Sequence, residues 1–154
     1  MSRASEDTVT QVCNTLVAQL SHGKSEIRDV FAIGLKKVIT EVDEQHGVVV
    51  LKALVGALHD GIQGIAGISD EDRSGVRVEA LDVLNELLGR FGGLLVEAVR
   101  SGAGSVTDTA LLSLLLNQLG GKEADTPKRA MLALASLSAH LSDELLQRLM
   151  TTLL

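Results

Sequence analysis

The sequence has no tryptophan, no tyrosine and only two phenylalanines among 154 residues. Aromatic rings supply the flat faces on which bases, sugars and planar cofactors stack, so the usual platforms for single-stranded nucleic acid are excluded. Basic residues are also in the minority. Fourteen Lys and Arg face 20 Asp and Glu, for a formal net charge of -6. Affinity for a phosphate backbone comes mainly from Lys and Arg neutralising phosphate, so no nucleic-acid partner is expected. Cys13 is the only cysteine, which rules out an intrachain disulfide and any need for an oxidising compartment. Long apolar runs are missing too. The most apolar window, residues 47–68, is interrupted by Lys52, His59 and Asp60, which a membrane-spanning helix seldom tolerates. No membrane partner is expected. The opening "MSRASEDTVTQV" carries an acidic pair and no apolar signal-peptide core, so a cytoplasmic or nuclear location is the expectation.

What the sequence does have is helical periodicity. Apolar residues recur at three- and four-residue spacing throughout, and strand-like alternation is hard to find. The spacing predicts a helix from about Glu6 to Leu20, with Val9, Val12, Leu16 and Leu20 inward, and a second capped by Ser25, with Ile27, Phe31, Leu35, Val38 and Val42 inward. A third helix is expected over about Val48 to Ile65. A fourth, about Gly75 to Phe91, places Ala80, Leu84, Leu87 and Phe91 on one side and leaves by a left-handed turn at Gly92 and Gly93. "TDTALLSLLLNQL" forms the fifth. Thr126 and Pro127, the only proline, open the sixth, and a seventh begins near Ser142.

A pattern of small, large and later apolar residues recurs at Gly34-Leu35-Val38, Ala80-Leu81-Leu84 and Ala130-Met131-Leu134, with spacings of 46 and 50 residues. Helix-pair repeats have periods of about 40 to 47 residues, and a small residue lets crossing helices approach closely. The expected fold is therefore an all-α, HEAT/armadillo-like α-solenoid of about three and a half helix-pair repeats. The pairs cover about residues 6–42, 48–91 and 107–141, followed by an unpaired helix over 143–154. That last helix would leave Leu145, Leu146, Leu149, Met150 and Leu153 as an open edge, with self-association as the expected consequence.

Residues able to do chemistry are scattered. Asp70, Asp72, Ser74 and Gly75 imitate the start of a calcium loop, but its twelfth position holds Leu81 instead of glutamate, so "SDEDRSG" reads as a solvated connection. The glycine-rich stretch 61–67 follows no strand and precedes no P-loop lysine, and reads as a fraying helix end. His22, His46, His59 and His140 lack zinc-site spacing and read as surface residues. Cys13 has no basic neighbour on its helix to make it reactive and reads as a packed thiol. No catalytic, cofactor or metal site is expected. Polar helix faces remain: Asp82, Asn85 and Glu86 opposite the apolar side of the fourth helix, and Asp29, Lys36, Lys37 and Thr40 on the second. In a solenoid the second helices of successive pairs line one continuous surface, which makes Lys36, Lys37, Asp82, Asn85 and Glu86 the candidate partner-binding residues.

Two stretches carry a family resemblance. "IRDVFAIGLKKVITEV" (27–42) and "VEALDVLNELLGRFGGLLV" (78–96) resemble consecutive early repeats of the cullin-associated exchange and inhibitor family, large HEAT-repeat regulators of cullin-RING ubiquitin ligases. Arg28, Asp29, Gly34, Leu35 and Lys36 match one repeat core; Glu79, Ala80, Leu81, Asp82, Gly92 and Gly93 match the other. The resemblance implies a non-enzymatic module from the N-terminal arm of such a protein. Its implied partner is a cullin with its RING subunit, and its implied role is in the assembly of SCF-type ligases. A generic HEAT-repeat adaptor or scaffold with a different protein partner is the alternative.

Overall fold

The computed structural model describes residues 3–21, 24–64, 67, 69–100, 108–119, 126–140, 147 and 151. Among the described residues six α-helices follow one another: α1 (Arg3–Ala18), α2 (Ser25–Glu41), α3 (Gly47–Gln63), α4 (Asp70–Arg100), α5 (Asp108–Leu119) and α6 (Thr126–Ser138). Short 3-10 turns at Gln19–Ser21 and Glu44–His46 follow α1 and precede α3. No strand occurs among the described residues. The expected seventh helix, with its apolar edge, falls outside them except for Gln147 and Thr151.

Helices α2, α4 and α6 pack side by side in one layer, while α1 and α3 pack together in another; α3 also contacts α4, and α5 contacts α6. This is an all-α, HEAT/armadillo-like α-solenoid, the architecture that the periodicity implies. One continuous core runs between the layers, from Cys13 and Val17 through Leu35, Ile39, Leu54 and Leu58 to Leu84, Leu115 and Leu134. Small residues do bring helices close. A side chain at Gly61 would lie 3.2 Å from the Cβ of Ala80, so α3 and α4 touch almost backbone to backbone there. Ala80 and Ala130, two of the aligned small residues, are fully buried.

Several expectations need correction. The fourth helix is interrupted at Phe91 (φ -121°, ψ 26°), where its end is expected, and a second helical run carries α4 on to Arg100; the expected left-handed exit is absent, since neither Gly92 nor Gly93 adopts positive φ. The glycines serve packing instead, since a side chain at Gly92 would come within 2.7 Å of His140 Nε2. The "SDEDRSG" segment is likewise no loop. Asp70 to Gly75 form the first turns of α4, with Ser69 Oγ accepting a hydrogen bond from the amide of Asp72 at 3.1 Å, as an N-cap serine does. Ser25 is not the cap of α2; Lys24 occupies that position without a side-chain cap bond.

On α2 the apolar stripe is rotated by about one residue. Arg28, Ala32, Leu35 and Ile39 are buried, whereas Ile27, Phe31, Val38 and Val42 are half-buried, because α2 is wedged between α1 and α4 and faces both. On α1 the buried residues are Cys13 and Val17, with Leu20 buried in the 3-10 turn that follows, and Val12 is exposed. Helix α3 ends at Gly64, whose φ of 120° is one that glycine adopts readily and other residues rarely do. Gly61 before it is a packed helical residue, not part of a frayed end. His46 is not a surface residue: its ring is buried at the start of α3, and neither nitrogen has a hydrogen-bond partner among the described residues.

Candidate docking face

The layer formed by α2, α4 and α6 carries a seam of directional bonds. Arg28 Nη1 donates to Asp72 Oδ1 at 3.2 Å, tying the start of α2 to the start of α4. Thr40 Oγ1, which donates to the carbonyl of Lys36 at 2.8 Å, also lies 3.3 Å from Glu86 Oε1. Arg90 Nη1 donates to the carbonyls of Ile39 and Thr40 at 2.6 and 3.0 Å. Helix α2 has no basic residue in its own last turn, so Arg90 supplies from α4 the cation that the negative end of the α2 dipole favours. The Arg90 guanidinium also lies 4.8 Å from the centre of the Phe91 ring.

Farther along, Arg129 Nε donates to Asp82 Oδ1 at 2.7 Å and Asn85 Nδ2 donates to the carbonyl of Arg129 at 3.1 Å, joining α4 to α6. All of the partners on different helices are 44 to 51 residues apart, one repeat period. The polar face of α4 is therefore the joint between repeats as well as a surface. Asp82 and Asn85 are half-buried and bonded across it, and Glu86 is exposed at its outer rim. On α2, Lys37 is exposed and 4.0 Å from Glu41, while Lys36 is half-buried.

Glu79, a match to the family repeat core, is not among the candidate partner-binding residues. Burial pushes its carboxyl up to about 7, reinforced by a hydrogen bond with Asp29 and by the charges of Asp29 and Asp82; Lys36 opposes the shift. Three carboxyl groups and one ammonium thus gather where α2 meets α4. A helical wheel drawn for either helix alone cannot bring them together; pairing ionisable residues one repeat period apart would have. Outward from this cluster, Val30 and Ile33 on α2 are 64% and 62% exposed, and Met131 and Leu132 on α6 are also exposed. The face combines a strip of paired acidic and basic side chains with exposed apolar residues on α2 and α6, a composition suited to protein contact.

The remaining reactive groups do not converge. Cys13 is buried, and burial alone pushes its thiol up to about 11, as expected of a packed thiol. No group of three or more His, Cys, Asp or Glu side chains could hold a metal ion among the described residues. Among the described residues, no helix is long and apolar enough to cross a membrane.

No family model matches the sequence. The chain is 28% identical over 148 residues to "Cullin-associated NEDD8-dissociated protein 1" of Arabidopsis thaliana, covering 96% of this chain and 11% of that protein. It is 28% identical over 150 residues to "Cullin-associated NEDD8-dissociated protein 2" of Rattus norvegicus, covering 94% and 11%, and 29% identical over 140 residues to the protein 1 of Drosophila melanogaster, covering 89% and 10%. The chain therefore spans about a tenth of the length of these curated relatives. The resemblance read from residues 27–42 and 78–96 extends over nearly the whole chain, which is similar to one short stretch of the cullin-associated NEDD8-dissociated proteins.

Proposed function

We propose that this chain is a non-enzymatic protein-interaction module that binds a cullin with its RING subunit and influences the assembly of cullin-RING ubiquitin ligases. The observation that carries this reading is the similarity to cullin-associated proteins over 96% of the chain. The outer face of α2, α4 and α6 supports it by offering an extended polar and apolar surface. In this reading Lys36, Lys37, Asp82, Asn85 and Glu86 belong to the contact region. Lys37 and Glu86, the two exposed members, meet the partner directly, while Asp82 and Asn85 hold α6 in register beneath it. The work is done in the cytoplasm or nucleus. The mechanism is thermodynamic: a module that binds one assembly state more tightly than another shifts the balance by that difference in affinity.

The test is retention of the chain on an immobilised cullin-RING complex, with and without NEDD8 attached, against unrelated helical proteins. Retention above the controls is expected. Lys36→Glu together with Lys37→Glu should weaken it, mainly through the association rate and with a steep dependence on salt. Retention equal to the controls would refute the cullin reading and leave a helical scaffold for another protein.

A further inference from the structure

Along the seam of α4, Asp72 accepts from Arg28, Asp82 accepts from Arg129, and Glu86 lies beside the Thr40 hydroxyl. Glu79 is matched differently. The side chain bonded to it across the joint is Asp29, a second carboxyl. Ionised carboxylates only accept hydrogen bonds, so this bond exists only while one of the two keeps a proton. Glu79 is half-buried and Asp29 exposed, which leaves the proton on Glu79. The bonds from Arg28 to Asp72 and from Arg90 to the carbonyl of Ile39 hold α2 alongside α4 in one register, with Asp29 and Lys36 on either side of Glu79 and about two helical turns apart. A carboxyl thus stands on one side of it and an ammonium on the other. The remaining charges nearby are engaged, Arg28 by Asp72 and Arg129 of α6 by Asp82. Helix α3 meets the opposite side of α4 through uncharged residues such as Gly61 against Ala80.

We propose that Glu79 is a proton-operated switch with two positions in the α2–α4 joint: with its proton it donates to Asp29, and without it the carboxylate turns along α2 to pair with the Lys36 ammonium. One contact breaks as the other forms. Once ionised, Glu79 is repelled by Asp29 and Asp82, whereas the charge of Lys36 favours the ionised form. Burial, the bond to Asp29 and the neighbouring carboxylates hold the proton on up to about pH 7, so the change falls within the range cells experience. Lys36 is drawn into the joint as pH rises and returned to the outer face as pH falls. The positive charge which that face offers is therefore set by pH. The switch needs no partner and stands independently of the cullin reading.

The experiment follows side-chain carbon shifts of the isotopically labelled chain by nuclear magnetic resonance from about pH 5 to 8.5. Glu79 Cδ should titrate with a midpoint near 7, and Lys36 Cε should move with the same midpoint. Lys37 Cε, exposed beside Glu41, should stay still and serves as the control. Glu79→Gln should abolish the Lys36 step. Asp29→Asn should lower the Glu79 midpoint and Lys36→Met should raise it, each by roughly 0.5 to 1 pH unit. A Lys36 signal that is flat in the parent, a Lys36 step that survives Glu79→Gln, or a Glu79 midpoint unmoved by both substitutions would overturn the proposal. If Glu79→Gln or Lys36→Met disturbs the fold, Asp29→Asn at its exposed position decides, together with the two parent titrations.

Discussion

Replacing Asp82, Asn85 and Glu86 together by Ala tests whether the polar side of α4 is a seam or a plain solvated face. Three unrelated surface substitutions would each change stability by less than about 0.5 kcal/mol. The bonds across the seam require more. The Asp82–Arg129 pair is short, at 2.7 Å, and its side chains are 30% and 29% exposed. That places it between an exposed pair, worth about 0.2 to 1 kcal/mol, and a fully buried pair, whose disruption costs about 3 to 5. We take about 1.5 kcal/mol for its loss, which leaves the Arg129 guanidinium without this carboxylate. The Asn85 bond to a backbone carbonyl adds about 1 kcal/mol, and the exposed Glu86 contact with Thr40 less than about 0.5.

Alanine is a better helix former than asparagine or aspartate by up to about 0.7 kcal/mol per position, which offsets part of the loss. The net expectation is destabilisation of about 2 kcal/mol, or a fall in Tm of roughly 4 to 8 °C for a chain of this size. Urea unfolding followed by circular dichroism should show a lower midpoint with an unchanged slope. A double-mutant cycle of Asp82→Ala with Arg129→Ala should give a coupling of about 0.5 kcal/mol or more. A triple variant within about 0.5 kcal/mol of the parent, or additive single variants, would refute the seam.

Other outcomes follow from the same geometry. Leu84 is 2% exposed, so Leu84→Ala should lower the unfolding free energy by about 2 to 5 kcal/mol in the same urea assay. Gly89 is exposed and a side chain there would meet nothing within 4 Å, so Gly89→Ala should stabilise by about 0.5 to 1 kcal/mol; Tm reports it. Gly47→Ala should do the reverse, by about 1 to 2 kcal/mol, because its methyl would lie 3.0 Å from the buried Phe91 ring and 3.1 Å from Leu94.

Glu79 sets a pH dependence. Its carboxyl is raised from 4.5 to about 7, so between these values the folded state holds the proton more tightly than the unfolded chain does. That contribution is fully present below about pH 4.5 and is lost as pH rises through about 7. Glu79→Gln should therefore flatten the decline in stability between pH 5 and 8, measured as urea midpoints; an equal slope in both proteins would count against the burial of Glu79 and its contact with Asp29.

Much of this architecture is legible because a helix buries a side chain every three or four residues regardless of its partner. Leu84, Leu87 and Phe91 fall inside as their spacing requires, and the small residue at position 80 reports a close helix crossing. What escapes is anything decided by a second helix. Asp82 looks free on its own wheel and is bound by Arg129, 47 residues later; Arg28, in an apparently polar turn, is buried against Asp72. Gly92 and Gly93 mislead for a related reason. A double glycine usually marks a left-handed exit, but here the lack of a side chain makes room for the imidazole of His140. The candidate site is legible in composition and not in availability: Lys37 and Glu86 lie open, whereas Asp82 and Asn85 are spoken for.

The grip of Arg90 on the last carbonyls of α2 has a mechanical consequence. Together with the Arg28–Asp72 and Asp82–Arg129 links, it places directional fasteners along one edge of the stack, the edge formed by α2, α4 and α6. Such fasteners resist being pulled apart far more than apolar surfaces resist rolling over one another. The chain should then behave as a leaf spring with a preferred sense of flexure: stiff against loads that splay this edge, compliant toward those that close it.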